Sequence, residues 1–184
     1  MFNFEELDEK TRKYMIDEFK EEKSSQNPYP GSENFSTKGR NLFPEIMKKA
    51  ILYGNEESLE KDLTDSLLWN EVTKPIKSKT GKVFTKKINP ATEAKRFAQT
   101  EFNTWYVRGL AKRLLEEGVE SCQVYRAAPA INPRVECCGY ENQIFSVKDV
   151  YNGHRKRYWP KPGAPRALSI PIGPNCHHSI RRYQ

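Results

Sequence analysis

The sequence predicts an α+β fold: a mainly helical body with one long helix, and a small, irregular C-terminal module that contains β-structure. Apolar residues recur at helical spacing through much of the first 118 residues. After Gly118 the spacing changes to a period of two, and five of the twelve prolines lie between residues 152 and 184. These two periods are those of a helix face and a strand face. We expect three segments: a helix plus an extended linker arm (1–40), a helical body with a Lys-rich hairpin (41–118), and a small basic Cys/His module (119–184).

The first seventy residues predict three helices and a linker. Residues 4–23 have apolar side chains at broadly helical spacing and predict an amphipathic helix. Residues 24–39 contain Asn-Pro, Pro-Gly and several serines, which are typical of a linker. Residues 41–53 and 58–69 predict two further helices joined at Gly54, with Leu67 and Leu68 on the apolar face of the second.

Residues 72–88 predict a β-hairpin or an extended loop around Thr80 and Gly81. This stretch contains no acidic residue and six lysines, which are Lys74, Lys77, Lys79, Lys82, Lys86 and Lys87. Positive charge at this density favours contact with double-stranded DNA. A hairpin whose lysines are simply solvated explains the composition as well.

The long helix is predicted over residues 90–117. Asn89 suits the N-cap, Pro90 the first helical position, and Gly118 the position after the helix ends. Apolar residues at three- and four-residue spacing give it a broad apolar face. Beyond it, alternation over residues 119–124 and 144–147 predicts a short strand pair, and residues 152–184 leave little room for regular structure.

Charge is unevenly distributed along the chain. Residues 1–71 carry a net charge of −6, residues 72–118 of +7 and residues 119–184 of +6. The basic part suits a polyanion or an acidic protein partner. No apolar run approaches the roughly 20 residues that span a bilayer, and the N-terminus is acidic where a signal peptide is basic. We expect a protein made and used in the cytosol, without membrane contact.

The C-terminal module contains candidate zinc ligands, which are Cys137, Cys138, His154, Cys176 and His178. In a reducing compartment, cysteines are more often metal ligands or buried thiols than disulfides. Adjacent residues of an extended chain point to opposite faces, so each Cys-Cys or His-His pair is expected to supply one ligand. The spacing differs from the two-Cys knuckle of strong zinc motifs. Buried thiols with surface histidines are the alternative, and we expect Cys122 to lie in the core.

Two segments, in order, resemble the tailed-phage minor capsid and head-morphogenesis proteins of the Mu F-like group. One is Ala98-Gln99-Thr100-Glu101 in the long helix, followed by Leu114 to Val119, and the other is Gly173-Pro174-Asn175-Cys176-His177-His178-Ser179. The resemblance covers about residues 90–184. In that group the helix usually has Arg at the position of Gln99, and the terminal motif has Arg at the position of His177. An upstream Cys-x-x-Cys is here reduced to Cys137-Cys138.

The resemblance implies a low-copy structural protein of the phage head, commonly close to the portal and sometimes associated with DNA, without a catalytic step. The matching residues are Thr100, Glu101, Asn175, Cys176 and His178. The implied partners are portal or capsid proteins within a multi-copy assembly. The implied location is the virion, with assembly in the host cytoplasm.

Two other functions stay open at the level of sequence. His154, His177 and His178 with Glu136 or Glu141 are the residue types of a metal-dependent nuclease or toxin, although no established nuclease motif is present. A plain DNA-binding module would combine the Lys-rich hairpin with stacking by aromatic residues, which are Trp105, Tyr158 and Trp159.

Overall fold

The structure is a computed structural model of the 184-residue chain. It describes residues 1–24, 34–71, 73–78, 80–87, 89–129, 135–155, 168–173 and 175–183. The helices are α1 (Glu9–Ser24), α2 (Thr37–Tyr53), α3 (Glu56–Leu63), α4 (Pro90–Glu116), α5 (Val135–Cys138) and α6 (Val147–Asn152). The strands are β1 (Thr73–Lys77), β2 (Val83–Lys87), β3 (Ser121–Arg126), β4 (Ile144–Ser146) and β5 (His178–Arg182). The predicted α+β class is confirmed.

Helix α4 is the centre of the fold, and its predicted ends are confirmed to within one residue. The Asn89 side chain accepts a hydrogen bond from the Ala91 amide, and Gly118 follows the helix with a φ of +72°. Helices α1, α3 and α6 and strand β5 all pack against α4. Its largest fully buried side chains are Phe102, Trp105, Tyr106, Leu110 and Leu114.

Helix α1 begins at Glu9, five residues later than the predicted start. The Asp8 carboxylate accepts a hydrogen bond from the Thr11 amide at 2.8 Å and so caps the helix. The preceding residues are instead non-helical, because the Phe2 and Phe4 rings stack on each other and pack against the sheet and α4. The Asn3 amide donates to the Ala127 carbonyl at 2.7 Å.

Helix α2 begins at Thr37, inside the predicted linker, because the Ser36 side chain caps it by accepting from the Gly39 amide at 3.1 Å. Residues 25–33 of the predicted linker lie outside the described residues. Helix α3 ends at Leu63, earlier than predicted, and a 3-10 turn follows at Ser66–Leu68. Leu68 is buried there, but Leu67 is 65% exposed and does not join the predicted apolar face.

Three antiparallel strands form a small sheet in the order β4-β3-β5. The predicted pairing of β3 with β4 is confirmed. The expectation of little regular structure after residue 152 is wrong for β5, which pairs with the other edge of β3. The sequence does not predict this strand because it contains two adjacent charged residues, Arg181 and Arg182. In the folded chain their charges are paired with Glu5 and Glu6 of the N-terminal segment.

Strands β1 and β2 form the predicted hairpin, with Thr73 opposite Lys87 and Lys77 opposite Val83. The Gly81 amide donates to the Ser78 carbonyl at 2.9 Å, and Gly81 has a φ of +85°. The side chains described at alternate positions, including Lys77 and Lys87, are exposed.

One apolar cluster includes residues from all three predicted segments, among them Met15, Phe97 and Ile180. Within the described parts of the chain, no helix has the length and apolar character needed to cross a lipid bilayer.

Candidate metal centre

A turn before strand β5 places two potential ligands on one face. The Cys176 amide donates to the Gly173 carbonyl at 3.0 Å, and Asn175 has a φ of +62°, which asparagine tolerates better than most residues. Cys176 and His178 are two residues apart in extended chain and so share a face. The Cys176 Sγ lies 3.7 Å from the His178 Nδ1.

Helix α5 brings a third potential ligand to the same place. Cys137, Cys176 and His178 each have one ligand atom within 4.8 Å of the corresponding atoms of the other two. Their side chains are deeply buried, at 4%, 3% and 1% exposure. This is the one group of three or more close metal-binding atoms among the described side chains.

The second nitrogen of His178 faces a carboxylate that is itself held in place. The His178 Nε2 lies 3.5 Å from the Glu141 Oε2, and this buried nitrogen makes no hydrogen bond of normal geometry with the residues that the structure describes. The Arg126 Nη2 donates to the Glu141 Oε2 at 2.6 Å, and Arg126 lowers the pKa of Glu141. Glu141 is therefore an ionised acceptor beside His178.

The backbone of His178 ties the cluster to the long helix. The Asn103 Nδ2 in α4 donates to the His178 carbonyl at 2.7 Å, and Asn103 is fully buried. The position of the β5 backbone is thus fixed from the helical side. Sequence reasoning missed Arg126 and Asn103, although a polar residue among the apolar positions of α4 was a signal for Asn103.

The two most buried cysteines have opposite electrostatic surroundings. A hydrogen bond from the Cys137 thiol, with further donors at His178 and the backbone, lowers the pKa of Cys176 despite its burial. Cys122 lies in the core as expected, where burial raises its pKa to about 12. A thiolate is the form of cysteine that binds metals, so Cys176 is suited to this role and Cys122 is not.

The structure does not bring Cys138 or His154 into this group. Residues adjacent in a helix point in different directions, so Cys138 is exposed, and its Sγ accepts from the Arg126 Nη2 at 3.7 Å. The His154 ring packs on Trp105 at a centroid separation of 5.2 Å, and its Nε2 lies 3.4 Å from the Glu22 Oε2. Burial lowers the pKa of His154.

The residues considered for a nuclease centre do not form such a group either, within the part of the chain that is described. The His177 Nδ1 lies 2.6 Å from the Pro129 carbonyl, and its ring contacts Phe2. Trp105 is fully buried and unavailable for stacking on a base. Tyr158 and Trp159 lie outside the described residues, as does Lys79 of the hairpin, and the side chains of Glu136, Lys74 and Lys86 are likewise not described.

The helix residues behind the Mu F-like resemblance lie in buried contacts. Thr100 Oγ1 donates to the Arg96 carbonyl at 2.8 Å. Glu101 is 1% exposed and accepts two hydrogen bonds from Arg155, at 3.0 and 2.6 Å. Burial raises the pKa of Glu101, and the Arg155 charge opposes that effect.

No protein-family model, no curated protein and no solved structure matches this chain.

Proposed function

We propose that this chain is a non-catalytic structural component of a tailed-phage virion: a minor capsid, portal-proximal head or head-tail connector protein. The observation that supports it is where the residues of the Mu F-like resemblance lie. Four of the five matching residues, Thr100, Glu101, Cys176 and His178, are buried, and Asn175 in the turn is exposed. The chain would be assembled in the host cytoplasm and would be part of the virion.

A contact between the helix and the strand that contain segments of the resemblance supports the same function. Strand β5 packs on α4, and the hydrogen bond from Asn103 to the His178 carbonyl joins them 75 residues apart in sequence. Two elements that carry distant motifs and pack together in one buried unit are expected of a scaffold. Residues that served an exposed reaction centre would instead line a cleft.

The charge distribution suits docking inside a particle. The acidic first 71 residues can face a basic virion protein, and the basic remainder can face an acidic protein or DNA. We propose portal or capsid proteins as the partners in a multi-copy assembly.

The Lys-rich hairpin is the part of the chain that we propose to contact packaged double-stranded DNA. Lys77, Lys82 and Lys87 are exposed, and the strand register places Lys74 directly opposite Lys86. Lys87 forms an ion pair with Glu71, the acidic residue that immediately precedes the hairpin. Exposed lysines on a two-stranded ribbon can follow a phosphate backbone without reading its sequence.

The test is to look for the chain in purified particles. Phage particles banded on a density gradient from a producing strain are analysed by quantitative mass spectrometry, with a capsid protein as the internal standard. We expect this chain to co-purify at low copy number and to resist protease until the particle is opened. Recovery of the chain only from the unbanded lysate would contradict the proposal.

A nuclease assay provides the second arm. Purified chain is incubated with supercoiled plasmid, with Mg²⁺, Mn²⁺ or Zn²⁺ and with chelator, beside a His154→Ala variant. The proposed function predicts no cleavage under any condition. Cleavage that needs a metal and is lost in His154→Ala would establish an enzyme instead.

A further inference from the structure

We propose that Cys137, Cys176 and His178 bind one zinc ion through the two sulfur atoms and the His178 Nδ1. Two thiolates and an imidazole form a ligand set that zinc prefers, whereas magnesium and calcium require oxygen ligands. This inference goes beyond the proposed virion function, because the chemistry of the site does not depend on where the chain is assembled.

The spacing of the ligand atoms fits a tetrahedral ion. Zinc lies about 2.3 Å from sulfur and about 2.0 Å from nitrogen, so neighbouring ligand atoms of a tetrahedral site are roughly 3.5–3.8 Å apart. The Cys176 Sγ to His178 Nδ1 distance of 3.7 Å is in that range. The remaining pairs lie within 4.8 Å, so a contraction of about 1 Å at most completes the triangle.

The surroundings of the second His178 nitrogen give independent support. Histidines that bind a metal through one nitrogen commonly donate the other N–H to a carboxylate, which fixes the ring. Among the described residues, the His178 Nε2 is buried without a hydrogen bond of normal geometry, and the Glu141 carboxylate lies 3.5 Å away, held by Arg126. Metal at Nδ1 places the proton on Nε2, facing Glu141. A slight rotation of the ring then forms the missing hydrogen bond.

The burial of the site indicates a structural ion rather than one that receives a substrate. Each ligand side chain is no more than 4% exposed. The ligands come from α5, from the turn after Gly173 and from β5, so one ion would join three short elements that individually bury little apolar surface. Three protein ligands leave one coordination position, which water can fill.

The first experiment measures metal in the wild-type chain. The protein is expressed without a metal-binding tag in zinc-supplemented medium, desalted, and analysed by inductively coupled plasma mass spectrometry. We expect about one zinc per chain. Replacing zinc with Co²⁺ should give the near-ultraviolet thiolate-to-cobalt band and the visible bands of tetrahedral cobalt.

The chain supplies matched controls within two residue pairs. Cys137→Ser and His178→Ala are expected to lose zinc and the thiolate or tetrahedral signature, whereas Cys138→Ser and His177→Ala retain both. Glu141→Ala removes only the carboxylate behind His178, so we expect zinc affinity to fall by about 10- to 100-fold in a competition with a chelator. Far-ultraviolet circular dichroism reports whether each variant is folded.

Three results would overturn the proposal. One is a folded wild-type chain that neither contains nor takes up zinc, which would make the cluster a hydrogen-bonded thiol and imidazole group. Another is a cobalt spectrum without a thiolate band, and the third is equal zinc loss in Cys138→Ser and Cys137→Ser. The first two need no variant, so unfolding of the ligand variants does not prevent a decision. Detection of the chain in virions is measured separately and is unaffected by any of them.

Discussion

Glu56, in the first turn of α3, is a buried acid that lacks a charged partner at hydrogen-bond distance among the described side chains. One of its oxygens accepts a hydrogen bond from the Phe2 amide, and the other, Oε2, has no hydrogen-bond partner in the described parts of the chain. Its exposure is 1%, and burial raises its pKa above the ordinary value. The carboxylate form is therefore less stable in the folded chain than in the unfolded chain.

Glu56→Gln is expected to change how stability depends on pH. The folded chain keeps Glu56 protonated to higher pH than the unfolded chain does, so this residue's contribution to stability is lost as pH rises from roughly 4 through the raised pKa. The free energy of unfolding of Glu56→Gln, relative to that of the wild type, should therefore increase as pH rises over this interval. Urea denaturation between pH 4 and 7 measures it. The exposed neighbour Glu57→Gln is the control, and equal behaviour of both variants would contradict the burial explanation.

Arg155 makes the most buried ion pairs described in the chain. Its side chain is 7% exposed and contacts Glu101 at 2.6 Å and Glu22 at 3.1 Å, while its guanidinium lies 5.2 Å from the centre of the Trp105 ring. Removing one partner of such a pair leaves a buried charge, which is more costly than replacing both partners with apolar residues.

Arg155→Met should therefore lower the free energy of unfolding by about 3–5 kcal/mol. The double variant with Glu101→Met should lose less than the single variant, because no uncompensated carboxylate remains at residue 101. Chemical denaturation of both variants beside Glu101→Met completes the cycle. A loss under about 1 kcal/mol in Arg155→Met would show that the pair contributes little.

At the residue scale, the sequence predicts that one member of each adjacent Cys or His pair faces the cluster, but it does not predict which member. One ligand was expected from Cys137-Cys138 and one from His177-His178, and the structure places one of each pair in the cluster. Which one depends on helix α5 and on the register of β5, which follow from tertiary packing. The sequence predicts His154 as a ligand by its residue type alone, and its position beside Glu22 and Trp105 depends on the packing of α1 on α4.

Helices α1 and α4 lie close together at Gly109. A Cβ added to Gly109 would lie 2.5 Å from the Met15 Cγ and 2.7 Å from the Met15 backbone nitrogen. The side-chain atom can move, but the backbone atom belongs to α1 itself. Separating the two helices would disturb Met15, which is fully buried.

Gly109→Ala is expected to destabilise the chain by about 1–3 kcal/mol, because the core would be overpacked at the helix crossing. The sign of this change in the free energy of unfolding is informative, because Gly→Ala at an uncrowded helix position stabilises a protein by about 1 kcal/mol. Gly118→Asn is the control: its site has a φ of +72° and no neighbouring atom within 4 Å, and asparagine tolerates that conformation. Thermal unfolding that shows Gly109→Ala to be as stable as the wild type would contradict the close crossing.

The β1–β2 hairpin carries a prediction for DNA retention. Each lysine that neutralises a phosphate adds about 0.9 to the slope of log affinity against log salt concentration. Lys77→Gln with Lys82→Gln should therefore reduce that slope by about 2 on random-sequence duplex DNA. Lys48→Gln with Lys49→Gln removes the same charge from α2 and should leave the slope nearly unchanged. Equal effects of the two double variants would assign the binding to net charge alone.

At the element scale, local signals predicted what local interactions determine. Helix α4 has its N-cap, its proline and its terminal glycine in sequence, and the hairpin has its turn at Gly81, so both were predicted. Strand β5 and the late start of α1 were not, because both depend on contacts between the two ends of the chain. Arg182 lies opposite Cys122 in the sheet, and its amide donates to the Glu6 side chain at 2.7 Å.

At the scale of the whole molecule, the two ends of the chain pack against the long helix and the sheet. The N-terminal segment contacts α3 through Phe2, the sheet through Asn3, and α4 through Phe4, whose ring lies 4.6 Å from that of Tyr106. Glu117 at the end of α4 accepts hydrogen bonds from the side chains of Lys10, Arg113 and Arg182, and these three hydrogen bonds lower its pKa to about 2. The first and last elements therefore stabilise the same surface of the long helix.

A main core shared by all three segments, together with the joined ends, predicts that the helical body and the sheet unfold together. Amides of β3 and of α4 should therefore exchange with deuterium through the same opening, with equal free energies that match the global value from denaturation. Mass spectrometry of peptides from both elements measures this, with the exposed β1–β2 hairpin as the internal control, which should exchange earlier by local opening. If β3 exchanged at a free energy several kcal/mol below that of α4, residues 119–184 would be a separate module that is only docked on the body. The apolar cluster that includes Met15, Phe97 and Ile180 predicts the opposite, because it is shared by all three segments and β5 packs directly on α4.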